Sequence, residues 1–140
     1  MISENNQSMP TILVADSDDD NRYLLRSLLE LKGFHVLLAT DGQEAIDTAV
    51  RKRPDLVLIQ LKLPVVSGFT VIRRMRQCAA LQEVPIIAVS FNNRTANRNV
   101  AIAAGCNAHI EDPIEFDVLD ETIDRLLPGE RLPLSSLLIQ

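Results

Sequence analysis

Residues 54–68, PDLVLIQLKLPVVSG, decide the fold. Four consecutive branched apolar residues (LVLI) lie between Pro54 and a loop that contains Pro64 and Gly68. A short continuous apolar run bounded by turn residues is typical of a strand that is buried on both faces. Gln60 ends this run, and open α/β sheets bind their ligands at the carboxyl ends of their strands. Gln60 is therefore the first candidate for a functional residue.

Further apolar runs predict strands before and after this central one, at Thr11–Ala15 and at residues 34–39, 85–90 and 108–111. Apolar residues recur at helical spacing in the segments between and after them, at residues 20–32, from Gly42 to Pro54, and at residues 67–80, 94–104 and 116–126. Strands that alternate with helices every 20 to 25 residues or so indicate an α/β fold with a doubly wound, five-stranded parallel sheet and helices on both faces.

Length and composition place this sequence among single-domain proteins. The chain has 140 residues, of which 46% are hydrophobic. We expect a disordered N-terminal tail over residues 1–9, one domain over residues 10–128, and a C-terminal tail over residues 129–140. The tail ends in the apolar segment LLIQ, which indicates that it folds back on the domain or is the remnant of a linker or, alternatively, that it binds a partner.

Charge and hydropathy exclude two classes of partner. The 14 basic residues are outnumbered by 19 acidic ones, and a net charge of -5 disfavours nucleic acid as a partner. No run approaches the ~20 apolar residues that span a membrane, and the first residues do not resemble a signal peptide. Cys78 and Cys106 form no CxxC motif, so the sequence gives no sign of a redox site. We expect both cysteines to be reduced thiols. We expect a cytoplasmic protein.

An acidic segment follows the first strand and begins at Asp16 (DSDDD). Its alternating acids resemble the start of a calcium loop, but Asn21 stands where glycine is required and Ser27 stands where glutamate is required. We expect Asp19 and Asp20 to act mainly as the N-terminal cap of the following helix. Weak binding of a divalent cation at this segment remains an alternative.

The sequence offers no set of residues for a conventional enzyme. His35 and His109 are isolated, no serine, histidine and aspartate set can be assembled, and no glycine-rich phosphate loop is present. We therefore expect no enzymatic activity.

Four motifs in this order, ILVADSDDDNR, PDLVLIQLKLPVVSG, PIIAVS and AGCNAHIEDPIEF, resemble the receiver domain of bacterial response regulators, the CheY-like superfamily. The resemblance covers about residues 10–127. It implies a flavodoxin-like fold with the strand order 2-1-3-4-5, which is the order known for this superfamily. It also implies a role in two-component signal transduction and phosphorelay.

The same resemblance implies a degenerate phosphorylation site. In the family, an aspartate at the end of the third strand accepts a phosphoryl group from a histidine kinase, and that position falls on Gln60. The family's lysine before a proline falls on Asp112, and the hydroxyl that grips the phosphoryl oxygens is kept as Ser90. An amide is a poor nucleophile, and an aspartate repels a phosphoryl group. We predict that Gln60 and Asp112 form a hydrogen bond across this site.

The metal and switch positions of the family are only partly kept. Two acids hold Mg²⁺ in the family; the first is present as Asp16, whereas the second falls on Ser17, with Asp18 immediately after. No cofactor is therefore required, and any Mg²⁺ binding should be weak. The switch pair falls on Ser90 and on His109, which stands in place of an aromatic residue. His109 is either a structural residue or a group that makes this surface pH-sensitive.

Two functions follow from these replacements. The first is a pseudo-receiver that acts by protein–protein interaction, independently of aspartate phosphorylation, through a surface that includes Arg94, Arg98 and His109. Its partner would be a histidine kinase or another signalling protein, and the sequence leaves open whether two copies dimerise. The alternative is a response regulator that binds a divalent metal or is phosphorylated at another acceptor, for which the nearest candidates are Asp16, Asp18 and Ser67.

Overall fold

A computed structural model of the chain describes residues 9–91 and 95–129. Almost all of the expected N-terminal tail, nearly all of the C-terminal tail, and Arg94 therefore lie outside the described residues. Within the described ranges, no helix is both long enough and apolar enough to cross a membrane.

Strands and helices alternate along the chain as the apolar pattern predicts. The strands are β1 (Thr11–Ala15), β2 (His35–Ala39), β3 (Leu56–Gln60), β4 (Ile86–Ser90) and β5 (Ala108–Glu111). The helices are α1 (Asp19–Leu31), α2 (Gly42–Lys52), α3 (Gly68–Gln77), α4 (Thr95–Ala104) and α5 (Phe116–Leu126), with one short 3-10 turn (Ala79–Leu81) after α3.

All neighbouring strands are parallel, and their order is β2-β1-β3-β4-β5. The register aligns the strand ends: Ala15 pairs with Ile59, Gln60 with Val89, and the last residue of β4 with the last residue of β5. The predicted doubly wound α/β fold is therefore confirmed. The residues that follow each strand meet at one edge of the sheet.

The core lies in two layers, one on each face of the sheet. Successive side chains of a strand point to opposite faces, so in β3 Val57 and Ile59 pack with α2, α3 and α4, while Leu56 and Leu58 pack with α1 and α5. All four of these side chains are at most 2% exposed. Full burial of such a side chain contributes about 1.5–3 kcal/mol, so the continuous apolar run of β3 stabilises both layers.

Two glycines fix the loop after β3 by close backbone approach. The backbone nitrogen of Gly42 donates to the carbonyl oxygen of Pro64 at 3.1 Å, and a Cβ at Gly42 would lie 1.8 Å from the carbonyl oxygen of Val66. A Cβ at Gly68 would lie 2.4 Å from the carbonyl oxygen of Gln60. Only glycine allows α2 and α3 to begin this close to the end of β3, and the position of Gln60 is therefore well defined.

The third helix is shorter than predicted. We expected it to reach residue 80, but α3 ends at Gln77 because Cys78 is extended, with φ -94° and ψ 120°. The guanidinium of Arg76 donates to the carbonyl oxygens of Leu81 (3.0 Å) and Val84 (2.8 Å), which lie beyond the helix. The Arg76 side chain thus provides hydrogen-bond donors for carbonyl oxygens of the turn after α3. A longer α3 would move these carbonyl oxygens away from it.

Candidate functional site

The ends of β1 and β3 form the first part of the site. Asp16 follows Ala15, Gln60 follows Ile59, and those two preceding residues are partners in neighbouring parallel strands. Asp16 and Gln60 consequently stand side by side although 44 residues separate them. The amide nitrogen of Gln60 donates a hydrogen bond to Oδ2 of Asp16 at 3.3 Å.

Asp16 is a buried carboxyl group, only 3% exposed. Burial raises its pKa above the ordinary value, and the charges of Asp18 and Asp112 act in the same direction. The hydrogen bonds from the backbone nitrogen of Asp18 to Oδ1 (2.8 Å) and from Gln60 to Oδ2 lower that pKa, although burial has the largest effect. Both carboxylate oxygens therefore accept a hydrogen bond, and the Gln60 amide helps to hold this carboxyl in its charged form.

The predicted hydrogen bond between Gln60 and Asp112 is wrong, because Gln60 bonds to Asp16 instead. Gln60 ends β3 and Asp112 follows β5, with β4 between them. Adjacent strands lie ~4.8 Å apart, so a two-strand separation places these backbones about 10 Å from each other. The backbone nitrogen of Asp112 donates to the carbonyl oxygen of Ser90 at 2.8 Å, which extends the ladder between β4 and β5.

Acidic side chains of the segment after β1 make contacts within the first turn of α1. Asp18 is the N-cap, and its Oδ2 accepts from the backbone nitrogen of Asn21 at 2.8 Å. Our assignment of the cap to Asp19 and Asp20 is therefore wrong by one position, and these two residues form the first turn. Asp19 pairs with Arg22 at 2.5 Å.

Arg22 is a site residue that the sequence analysis missed. Its Nη1 donates to the backbone oxygen of Asp16 at 2.8 Å, and its Nη2 pairs with Asp19. The three-residue spacing of Asp19 and Arg22 within one helix was the available signal, because side chains three apart share a helix face. Arg22 thus fixes the backbone at the end of β1.

The donor set at this edge fits a magnesium ion poorly. Mg²⁺ requires near-ideal octahedral geometry and carboxylate oxygens that are available to it. Both oxygens of Asp16 already accept hydrogen bonds, Asp18 caps α1, and Ser17 supplies no carboxylate. In the described part of the chain, no group of three or more histidine, cysteine, aspartate or glutamate side chains is arranged to hold a metal. Weak Mg²⁺ binding stays a prediction.

Ser90 and His109 form a second pair, between the last residue of β4 and the second residue of β5. The hydroxyl of Ser90 lies 2.7 Å from Nε2 of His109. Strand alternation places Ser90 with Ile86 and Ala88, on the face covered by α2, α3 and α4, whereas Gln60 has the parity of Leu56 and Leu58 on the opposite face. The predicted site residues are thus divided between the two faces of the sheet.

His109 and Arg98 are close enough to interact electrostatically. Burial lowers the pKa of His109, the positive charge of Arg98 lowers it further, and Glu111 acts in the opposite direction. Arg98 is exposed on α4, and Val100, two residues later in the same helix, is exposed as well. Two of the three residues of the predicted partner surface therefore lie near each other, and the third, Arg94, is outside the described residues.

Comparison with known proteins shows the family to which this chain belongs. The response regulator receiver domain profile matches residues 12–124. The polar-differentiation response regulator DivK of Brucella anthropi is 32% identical over 117 residues, which cover 84% of this chain and 95% of that protein.

Solved structures agree with this assignment. The receiver domain of sensor histidine kinase PA1611 from Pseudomonas aeruginosa PAO1, which has a magnesium ion coordinated in its active site cleft, is 28% identical with a TM-score of 0.80, over 86% of this chain and 99% of that one. The chemotaxis response regulator CheY4 of Vibrio cholerae shares the fold, with a TM-score of 0.80 at 24% identity over 85% and 99% of the two chains. The chain therefore belongs to the response regulator receiver domain family of two-component signalling.

Proposed function

We propose that this receiver domain acts by protein–protein interaction, independently of aspartate phosphorylation. The observation that carries the proposal is the Gln60 amide, which ends β3 and donates to Asp16 at 3.3 Å. An acyl phosphate requires a carboxylate nucleophile, and a neutral amide at this position cannot provide one. Gln60 instead stabilises the charge of Asp16, which holds the end of β3 against the end of β1 without a phosphoryl group.

The charge of the pocket also opposes a phosphoryl group. The resemblance to the family places Asp112 where a lysine would grip the product. Burial is the main cause of the raised pKa of Asp16, and the negative charge of Asp112 makes a smaller contribution in the same direction. Two like charges 4 Å apart repel by about 1 kcal/mol in bulk water and by more in a lower dielectric. A phosphoryl group here would meet Asp16 and Asp112 with no lysine to offset them.

Phosphorylation at another acceptor is the competing function. The nearest candidates are already engaged: Asp16 is buried and accepts two hydrogen bonds, Asp18 caps α1, and the hydroxyl of Ser67 caps α3 by accepting from the backbone nitrogen of Thr70 at 3.3 Å. Phosphorylation of any of these groups would disturb a structural contact that the group already makes. These contacts favour the interaction module.

The expected partner is a histidine kinase or another signalling protein, and the expected contact surface includes Arg98 and His109. The exposed side chains of Val100, Ile102 and Val118, on α4 and α5, lie on the same two helix and strand units and supply apolar area. A second copy of the chain would meet the same apolar surface, and sedimentation velocity over a range of protein concentrations tests for a homodimer.

The deciding experiment is an amide NMR titration with Mg²⁺ and then with beryllofluoride, which mimics the phosphoryl group on aspartate. We expect no saturable shift at Asp16, Gln60 or Ser90. The matched control is the triple variant Ser17→Asp, Gln60→Asp and Asp112→Lys, which restores the acids and the lysine of the family pattern. Saturable shifts in the control alone support the proposal, whereas saturable beryllofluoride shifts in the unmodified protein would show that another carboxylate accepts the phosphoryl group.

A further inference from the structure

A cleft of about 560 Å³ opens on the α3 and α4 side of the site. Its walls come from the loop after β3, the first turn of α3, the end of β4 and the first turns of α4; they include Lys62, Phe69, Ser90, Phe91 and Asn97. Pockets for small molecules usually measure about 300–1,000 Å³ and combine apolar walls with a few polar groups. This cleft has the size and the mixed lining of such a site.

Two phenylalanines give the cleft aromatic walls. Phe69 is half-buried in the first turn of α3, whereas Phe91, immediately after β4, is 69% exposed. Burying an aromatic side chain releases a large apolar area from water, so an exposed phenylalanine at the mouth of a cleft favours an apolar occupant. An aromatic ring seated between these side chains would gain stacking contacts as well.

Lys62 is the single charged side chain among the described residues that line the cleft. The chain carries a net charge of -5, yet none of these described lining residues is an aspartate or a glutamate. Lys62 is exposed, and it forms no ion pair or hydrogen bond with another residue of the described ranges. An ammonium group beside an apolar wall attracts an anion, and the attraction is stronger there than in open solvent.

We propose that this cleft binds a small amphipathic monoanion, whose aromatic body lies between Phe69 and Phe91 and whose carboxylate or sulfonate group lies on Lys62. The inference does not rest on the proposed function: the cleft shares Ser90 with the degenerate phosphorylation site, but it opens on the face of the sheet opposite to Gln60 and Asp16, and neither of these two residues lines it. Failure of the beryllofluoride experiment would leave it standing, and its own failure would leave the proposed function standing.

A histidine is connected to the cleft and can report on its occupancy. Ser90 lines the cleft, and its hydroxyl lies 2.7 Å from Nε2 of His109, which lines a separate pocket beside α5. A ligand that contacts Ser90 would change the hydrogen bonding of this imidazole. His35, the other histidine of the chain, begins β2 at the opposite edge of the sheet and provides an internal control.

The probe for binding is 8-anilinonaphthalene-1-sulfonate, an aromatic sulfonate whose fluorescence rises on binding. We expect one saturable site, with affinity reduced about tenfold by Lys62→Gln and about fivefold by Phe91→Ala, both of which alter exposed side chains. Lys52→Gln is the matched control, because it removes the same charge from an exposed residue at the far end of α2. It should leave the affinity unchanged.

An uncharged analogue isolates the role of Lys62. N-phenyl-1-naphthylamine has the same aromatic body without the sulfonate, so it should bind the unmodified protein more weakly and should be indifferent to Lys62→Gln. In parallel, imidazole NMR signals of His109 should shift with the sulfonate probe while those of His35 stay fixed.

Three results would overturn the proposal. The first is the absence of saturation below millimolar concentrations of probe, which means an adventitious additive only. The second is an equal loss of affinity in the Lys62 and Lys52 variants, which means that the probe senses general charge. The third is a shift at both histidines, which means that the probe binds partly unfolded protein.

Discussion

Replacing Gln60 with methionine tests the hydrogen bond that defines this site. Methionine keeps the length of the side chain but removes the amide donor that contacts Oδ2 of Asp16. Hydrogen bonds to charged groups contribute about 1.5–3 kcal/mol, and a donor–acceptor distance of 3.3 Å is long, so we expect a loss of about 1 kcal/mol in the free energy of unfolding at pH 7.

The loss should depend on pH in a defined direction. Burial raises the pKa of Asp16 in the folded protein above its value in the unfolded chain, so ionisation of Asp16 destabilises the folded state at neutral pH, and this penalty disappears as acid protonates the group in both states. Gln60→Met raises the folded pKa further. The difference in stability between variant and unmodified protein should therefore be largest at neutral pH and shrink toward pH 4.

The assay is urea unfolding at several pH values between 8 and 4, together with a ¹³C carboxyl NMR titration of Asp16. The matched control is Gln43→Met, because the amide of Gln43 donates to the carboxylate of Asp47 at 3.0 Å on the exposed surface of α2. Exposed pairs of this kind contribute only a few tenths of a kcal/mol. A loss that is the same at pH 8 and pH 4, or no loss beyond the control, would refute the role of Gln60.

Other contacts give predictions of their own. Burial and a neighbouring guanidinium lower the pKa of His109, so the folded protein should lose stability as pH falls below about 6.5; His109→Phe should remove this loss, and His35→Phe should keep it. Lys32 is 1% exposed at its side chain and pairs with Asp120; Lys32→Met should lower the free energy of unfolding by about 3–5 kcal/mol in urea, and adding Asp120→Leu should restore most of it. Arg76→Lys should destabilise by about 2 kcal/mol, because an ammonium cannot reach the several carbonyls that the guanidinium serves, and amide hydrogen exchange should speed up in the turn after α3.

The fold was predictable because its signals are local. The apolar run of β3, bounded by Pro54 and by a loop that ends in Gly68, specifies a buried strand and the place where the next helix begins. The same runs fixed the number of strands, and the position of Gln60 at a strand end followed directly. The exact residue at which a helix ends was less predictable, since the end of α3 depends on the guanidinium of Arg76 and on carbonyl oxygens several residues beyond it.

The pairing within the site was not predictable from the positions alone. Gln60 has a carboxylate neighbour as expected, but the strand order, which the resemblance already implied and which our prediction did not apply to this pair, makes that neighbour Asp16 and not Asp112. Likewise, sequence order alone did not show that Ser90 and Gln60 face opposite sides of the sheet, because this depends on the register between β3 and β4 as well as on the parity of each residue within its strand. The cap of α1 differed by one residue, since three adjacent acids could each serve.

The ion pair between Lys32 and Asp120 has a consequence for the order in which the chain can fold. Lys32 follows α1 and Asp120 belongs to α5, 88 residues later. During synthesis, the ammonium of Lys32 has no such counterion until α5 has left the ribosome, and the layer that α5 covers stays open until then. The domain should consequently complete its folding in one late cooperative step, and a nascent chain that stalls before residue 120 should be captured by chaperones and degraded.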